Sequence, residues 1–163
     1  MQAIRLDLDK RPVEGINGKS PESAILTVLE KYGVKRLPDG KVQVEIWGTG
    51  NPRRELLWSE EMADATVFIM ERVSFSNIVA GMNSKDIRNT HINIGTGKDT
   101  SIKDIAYLVK GKTGFTGELW FNAEKPDGTM KKLTDVAKLH SLGWRHRIEI
   151  DEGVERIYNW YRA

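Results

Sequence analysis

The sequence predicts a mixed α/β fold, in which a small mixed sheet is combined with several helices. Two observations carry this prediction. β-branched runs at 42–46 and 91–94 each lead into a Gly-Thr-Gly turn. Apolar residues repeat at helical spacing in several other segments. A chain of 163 residues is long enough to bury a core as a single domain.

The first 40 residues differ in character from the rest, and we expect a connecting segment with one short helix. Residues 7–19 contain proline, glycine and asparagine, which favour an irregular connection. Within 20–33, Ser20 and Pro21 precede an acidic residue and an apolar run, a pattern typical of a helix start. Residues 41–163 are expected to form the domain that carries the function.

The middle of the chain is expected to form two strands, a helix and a loop. Valine and isoleucine alternate with polar residues over 41–47, as in a half-buried strand that ends at Trp47. Residues 55–58 are apolar enough for a short strand, and Ser59 opens a helix. The polar stretch 74–89 is expected to be an exposed loop.

The last part of the chain alternates strands with helices. Residues 91–94 have the composition of a buried strand, and Ser101 is the expected cap of the helix that follows the next turn. A further strand is expected over 118–121. The apolar spacing in 135–142 and 151–161 predicts two amphipathic helices.

Composition excludes several classes of function. Apolar residues make up 39% of the chain, charged residues 29%, and the mean hydropathy is −0.46, which excludes a membrane protein. The formal net charge of +2 is too small to select a nucleic acid by long-range attraction. With no cysteine and three scattered histidines, we expect no disulfide, no thiolate nucleophile and no metal site. We expect a soluble, cytoplasmic protein.

The glycine-rich turn at 95–97 is a candidate phosphate-binding loop, but its spacing does not match. The Gly-x-x-x-x-Gly-Lys-Ser/Thr pattern requires glycine where Ile92 stands and a hydroxyl residue where Asp99 stands. The dinucleotide-binding pattern fails as well, because its third glycine falls on Thr100. We therefore expect an ordinary turn.

Two segments carry stronger candidates for ligand binding. Trp47 and the adjacent Arg53 and Arg54 offer an aromatic face and a bidentate cation beside a tight turn, a combination that suits a base and a diphosphate. The alternative is that Trp47 belongs to the core and the arginines are solvated or pair with Glu55. In 125–132, Asp127 and the lysines could contact sugar and phosphate, or simply form a routine Pro-Asp-Gly turn.

Three ordered motifs resemble those of the GDP-L-fucose synthases, in the extended short-chain dehydrogenase/reductase superfamily. They are 47–57 (WGTGNPRRELL), 91–97 (HINIGTG) and 125–135 (KPDGTMKKLTD). Two further motifs, 142–144 (LGW) and 153–161 (GVERIYNWY), resemble the wider group of nucleotide-sugar epimerases and dehydratases. The resemblance covers residues 41–163.

This resemblance implies an enzyme that converts GDP-4-keto-6-deoxy-D-mannose to GDP-L-fucose by epimerisation and reduction with NADPH. By position, Trp47, Arg54 and Asp127 match substrate contacts, and Lys132 is a further candidate. Arg53 departs from the uncharged residue common in the family, which leaves open which arginine faces the ligand. The parent enzymes are expected to be homodimers.

The groups that perform the chemistry in that superfamily are missing from this sequence. There is no Gly-x-x-Gly-x-x-Gly loop for NADP and no Tyr-x-x-x-Lys pair, since Arg36 follows Tyr32 and Gly111 follows Tyr107 at that spacing. The resemblance therefore implies the C-terminal substrate-binding portion, without the complete Rossmann domain and without catalytic or main cofactor-binding residues. The alternatives are a fragment of another nucleotide-sugar epimerase or dehydratase, and a non-catalytic interaction module.

Overall fold

The computed structural model describes residues 1–83 and 86–163, apart from the side chain of Ala3. The described helices are α1 (Gln2–Lys10), α2 (Glu22–Lys31), α3 (Ser59–Arg72), α4 (Phe75–Ile78), α5 (Ile102–Thr113), α6 (Ala137–Ser141) and α7 (Ile150–Arg162). The described strands are β1 (Val34–Arg36), β2 (Val42–Trp47), β3 (Arg53–Arg54), β4 (Thr100–Ser101), β5 (Glu118–Asn122) and β6 (Lys131–Lys132). The predicted mixed α/β class is confirmed.

The chain divides into two compact units, each made of two stretches of sequence. The first comprises Met1–Gly50 and Phe115–Asp127, and the second comprises Asn51–Gly114 and Gly128–Ala163. Residues on both sides of position 40 belong to the first unit, because β1 pairs with β2 there.

A three-stranded sheet organises the first unit. Its order is β1-β2-β5, with β2 antiparallel to β1 and parallel to β5. The predicted strands 41–47 and 118–121 are therefore confirmed as β2 and β5. Ile25 of α2 is fully buried and Leu8 of α1 is 7% exposed, so both helices contribute apolar side chains to the interior of this unit.

Helix α1 corrects the expectation of a loop from residue 7, because the helix continues to Lys10. Contacts with the following loop hold this helix. Arg5 donates to the carbonyl oxygens of Gly18 and Ser20 at 2.6 and 2.9 Å, and Asp9 Oδ1 accepts from Gly18 N at 3.0 Å. Helix α2 forms as expected, although Pro21 rather than Ser20 is the N-cap.

A short sheet and a helical core form the second unit. Its sheet has the order β4-β3-β6, with β3 antiparallel to β4 and parallel to β6. The core is Ala65, Leu139 and Trp144, against which apolar side chains of α3 and of residues 92 and 94 pack. Trp144 Nε1 donates to Asp64 Oδ2 at 2.8 Å, which satisfies the one polar atom of this buried ring.

Helices α3, α5 and α7 form where they are expected, and α7 begins and ends within one residue of the predicted 151–161. Ser101 is the N-cap of α5, as expected, and its hydroxyl accepts from Asp104 N at 3.0 Å. Helix α6 is shorter than the predicted 135–142, because Asp135 Oδ1 accepts from Ala137 N at 2.9 Å and forms a turn before the helix.

Two predicted strands of the second unit are wrong, and one predicted loop contains a helix. Residues 55–58 form no strand, and the short strand lies just before them at β3. Residues 91–94 form no ladder with any described strand, since Ile92 and Ile94 instead pack on the helical core. The predicted loop 74–89 contains α4, and its residues 84–85 lie outside the described part.

Candidate functional site

Trp47 is presented on the surface of the first unit. The residue ends β2, and 68% of it is exposed. The Nζ atom of Lys125 lies 5.3 Å from the centroid of the indole ring, a cation–π arrangement. The alternative that Trp47 belongs to the core is therefore wrong, and its aromatic face is accessible.

Trp47 lines a cavity of about 450 Å³ that lies within the first unit. Other lining residues are Tyr32, Glu45, Trp120, Asn122 and Lys125. This volume is in the range of small-molecule pockets. Aromatic and charged side chains thus share one concave surface.

Asp127 fixes the turn that follows Trp47. Its Oδ1 accepts from Thr49 N at 2.8 Å, and its Oδ2 accepts from the Thr49 hydroxyl at 2.6 Å. Gly48 has φ +84°, and a Cβ placed there would lie 2.2 Å from Asp127 Oδ1. Only glycine fits at this close approach, so the Gly-Thr-Gly turn and Asp127 depend on each other.

Arg53 is neutralised within the second unit. Its Nε donates to Asp99 Oδ1 at 2.6 Å, and its Nη2 donates to the Asp99 carbonyl oxygen at 2.8 Å. The Asp99 side chain is 10% exposed, and Lys131 Nζ lies 3.6 Å from its Oδ2. The Arg53 guanidinium, with a smaller contribution from Lys131, holds the pKa of Asp99 below its ordinary value despite the opposing effect of burial.

Arg54 is held in a different way from its neighbour. Its Nη1 donates to the carbonyl oxygens of Thr129 at 2.6 Å and of Arg53 at 2.7 Å. Its register partner on the parallel strand β6 is Lys132. Neither Arg54 nor Lys132 has a carboxylate partner among residues 1–83 and 86–163. The alternative that the arginines pair with Glu55 is wrong.

Glu55 stabilises the second Gly-Thr-Gly turn through hydrogen bonds, a role that the sequence analysis did not predict. Its Oε1 accepts from the backbone N of Thr96 and of Gly97, both at 2.6 Å. Its Oε2 accepts from Thr134 N at 2.9 Å and from the Thr134 hydroxyl. The turn is thus an ordinary structural turn, because the amides that would contact a phosphate already donate to a carboxylate.

The pKa of Glu55 reflects this environment. Burial of the carboxylate raises it, and hydrogen bonds from Thr134, Gly97 and Thr96 lower it. Together the hydrogen bonds outweigh burial, so the pKa lies below the ordinary value. The only hint in the sequence is that Glu55 follows Arg54 inside the first motif.

The four predicted site residues fall in pairs. Trp47 and Asp127 lie in the first unit, on either side of the turn that Asp127 holds. Arg54 and Lys132 are register neighbours in the second unit. Each unit therefore brings one predicted pair together.

The described residues contain neither a cluster of metal ligands nor a membrane-spanning helix. Over 1–83 and 86–163, no three histidine or acidic side chains are grouped so that they could hold a metal ion. Within the same residues, no helix combines the length and apolar character needed to cross a bilayer.

Comparison with known proteins places these motifs in context. A family model described as NAD dependent epimerase/dehydratase matches residues 13–95. GDP-L-fucose synthase 1 of Arabidopsis thaliana is 41% identical over 142 residues, which are 86% of this chain and 40% of that protein. The resemblance to GDP-L-fucose synthases inferred from the motifs is confirmed.

Solved structures of two GDP-sugar reductases are also similar to this chain. A GDP-6-OMe-4-keto-L-xylo-heptose reductase from C. jejuni has 41% identity and a TM-score of 0.79, covering 98% of this chain and 41% of its own. A GDP-mannoheptose C4 reductase from Campylobacter jejuni with NADP bound has 37% identity and a TM-score of 0.77. The match covers 100% of this chain and 41% of the reductase chain. The chain spans about 40% of the length of these relatives.

Proposed function

Because the chain belongs to the NAD dependent epimerase/dehydratase family, we propose that it is the C-terminal, substrate-binding part of a GDP-L-fucose synthase. The proposed parent enzyme converts GDP-4-keto-6-deoxy-D-mannose to GDP-L-fucose with NADPH. The relative of that name, 41% identical over 86% of this chain, supports the proposal. This chain alone is expected to be catalytically incomplete, with its catalytic groups supplied from outside it.

The difference between the two adjacent arginines is the observation that carries the proposal. Asp99 already neutralises Arg53. Arg54 donates to carbonyl oxygens, has no carboxylate partner within the described part of the chain, and has the cation Lys132 as its register neighbour. An anionic ligand is attracted to the uncompensated pair. We assign Arg54 as the donor to the diphosphate, with Lys132 as an added positive charge.

Trp47 and Asp127 are proposed as the substrate contacts of the first unit. The exposed indole supplies an apolar face for the base or sugar. Both carboxylate oxygens of Asp127 accept hydrogen bonds from Thr49, but each oxygen has a second lone pair for a ligand hydroxyl or amine.

NADP, the proposed cofactor of the parent enzyme, does not fit the described turns of this chain. The amide of Thr49 donates to Asp127, and those of Thr96 and Gly97 donate to Glu55. A carboxylate at each Gly-Thr-Gly turn repels a pyrophosphate. We therefore assign no cofactor contact to these turns. A cytoplasmic location and a homodimeric parent enzyme stay predictions.

A second candidate substrate is a GDP-heptose. The C. jejuni reductase of a GDP-linked keto-heptose matches 98% of this chain at 41% identity, which includes residues before 41. A GDP-heptose and GDP-4-keto-6-deoxy-D-mannose share the GDP moiety. The assignment of Arg54 is the same for both candidates.

The test compares charge-conserving variants of the two arginines. GDP binding is measured by calorimetry for the wild type, Arg54→Lys and Arg53→Lys. A bidentate contact to diphosphate needs the planar guanidinium, so Arg54→Lys is expected to weaken GDP binding about tenfold. Arg53→Lys is the matched control, and we expect its affinity to equal that of the wild type.

Three results would contradict the proposal. Equal affinities of the wild type and Arg54→Lys would remove the assigned role of Arg54. Absence of GDP binding at millimolar concentration would show that this chain carries no usable GDP-sugar site. Affinity that is equal for nucleotides with different bases and falls steeply with added salt would instead indicate a non-catalytic module that binds nucleic acid.

A further inference from the structure

Glu45 lies on the same face of the first unit's sheet as Trp47. Side chains two residues apart on a strand point to the same side, and both residues line the cavity of about 450 Å³. On the neighbouring strand β5, their register partners are Trp120 and Asn122, which line the same cavity. A carboxylate thus stands among aromatic rings on a concave surface.

The carboxylate of Glu45 is fixed in position. Asn122 is 6% exposed, and its Nδ2 donates to Glu45 Oε1 at 2.6 Å. The Asn122 Oδ1 accepts from Glu124 N at 3.1 Å, which sets the orientation of the amide. Glu45 N donates to the Gly33 carbonyl oxygen at 2.7 Å. Glu45 Oε2 receives no hydrogen bond from the residues that the structure describes.

A fixed carboxylate with an available oxygen distinguishes the nucleobases chemically. Guanine carries two adjacent donors on one edge, the ring N1–H and the 2-amino group, and a carboxylate accepts from both. Uracil offers one N–H between two carbonyl oxygens, which a carboxylate repels. Adenine has no ring N–H on that edge, so it cannot make the paired contact.

We propose that this cavity of the first unit takes the base of a nucleotide and that Glu45 selects guanine. The inference rests on the proposed function and adds the residue that determines base specificity. Trp47 and Trp120 supply aromatic faces for the base. Lys125, beside Trp47, supplies a donor for the guanine O6 oxygen.

The experiment compares GDP with IDP, which lacks only the 2-amino group, and with UDP. Dissociation constants are measured by calorimetry for the wild type, Glu45→Gln and the control Glu118→Gln. Glu118 lies on β5 of the same sheet and forms an exposed ion pair with Lys41 at 3.3 Å. Loss of one hydrogen bond to a charged group corresponds to about tenfold in affinity.

We expect the wild type to bind GDP about tenfold more tightly than IDP, and UDP more weakly still. Glu45→Gln should bring the GDP affinity down to that of IDP, because the amide cannot accept both protons at that edge. Glu118→Gln should keep the wild-type preference. The wild-type ratio of GDP to IDP tests the inference even if Glu45→Gln folds poorly.

The outcomes separate this inference from the proposed function. GDP binding that depends on Arg54 but shows equal affinity for GDP and IDP would overturn the role of Glu45 and leave the proposed function standing. If Glu45→Gln still binds GDP more tightly than IDP, the role of Glu45 is likewise overturned and the proposed function still stands. Absence of nucleotide binding by the wild type would overturn both.

Discussion

The carboxylate of Glu55 gives a sharp test of how the second unit is held together. It accepts from three backbone N–H groups, those of Thr96, Gly97 and Thr134. In Glu55→Gln one oxygen becomes an amide nitrogen that faces N–H donors, so about two charge-assisted hydrogen bonds are lost. At roughly 1.5–3 kcal/mol each, and with partial relaxation, we expect the free energy of unfolding to fall by about 2–4 kcal/mol.

The pH dependence of this effect follows from the lowered pKa of Glu55. A carboxyl group whose pKa is lower in the folded state stabilises the fold above its unfolded pKa, which is about 4.3. That contribution is lost as the pH falls through the folded value. The difference in stability between the wild type and Glu55→Gln is therefore expected to be full at pH 7 and to shrink below about pH 4.

The assay is urea unfolding at several pH values, combined with hydrogen exchange measured by mass spectrometry. Peptides that contain residues 95–97 and 134 should lose protection in Glu55→Gln. Glu71→Gln is the control, because Glu71 is exposed at the end of α3. Its free energy of unfolding should stay within about 0.5 kcal/mol of the wild type.

Equal stability of Glu55→Gln and the wild type at pH 7 would refute this reasoning. It would mean that the three amides find other acceptors when the carboxylate is removed. A stability difference that stays constant from pH 7 to pH 3 would refute the assignment of the effect to the ionised carboxylate.

Three further predictions concern single hydrogen-bonded positions. Ser101→Ala removes the N-cap of α5 and is expected to cost about 1 kcal/mol of unfolding free energy, measured by urea titration. Glu61→Ala leaves two backbone N–H groups, now bonded at 2.5 and 3.1 Å, without their acceptor at a site that is 3% exposed, and should cost about 2–4 kcal/mol in the same assay. Gly48→Ala should lower the thermal unfolding temperature more than Gly40→Ala does. Both glycines have φ +84°, but only at Gly48 would the new Cβ meet Asp127. Equal decreases in the unfolding temperature would contradict this reasoning.

Local signals in the sequence were enough to predict much of the fold. The alternation of valine and isoleucine gave β2, and the hydroxyl cap at Ser101 gave the start of α5. Helix α7 followed from apolar spacing alone. These elements are determined by neighbours close in sequence, so the sequence of this chain is sufficient to predict them.

Distant contacts determined what the sequence could not predict. Residues 91–94 have the composition of a strand. However, Ile92 and Ile94 pack against the core of the second unit, and no described strand pairs with these residues. Helix α1 depends on the contacts of Arg5 and Asp9 with a loop that follows it. Propensity was overridden by tertiary packing in both places.

The candidate site shows the same division. A sequence motif identifies Trp47 and Arg54. In the structure Trp47 is exposed, and Arg54 has no carboxylate partner in the described chain. That Arg53 is tied to Asp99 could not be foreseen, because 46 residues separate them. The fixed carboxylate of Glu45 likewise belongs to no motif and becomes visible only beside Asn122.

The parallel pairing of β2 with β5 has a consequence for biosynthesis. A ribosome must finish the whole stretch from Gly48 to Gly117 before β5 becomes available to β2. Until then β2 exposes an unpaired edge, and such edges are sites where nascent chains associate wrongly. Because pairing of distant segments slows folding, the step at which β5 joins β2 is where delayed folding or chaperone dependence would first arise.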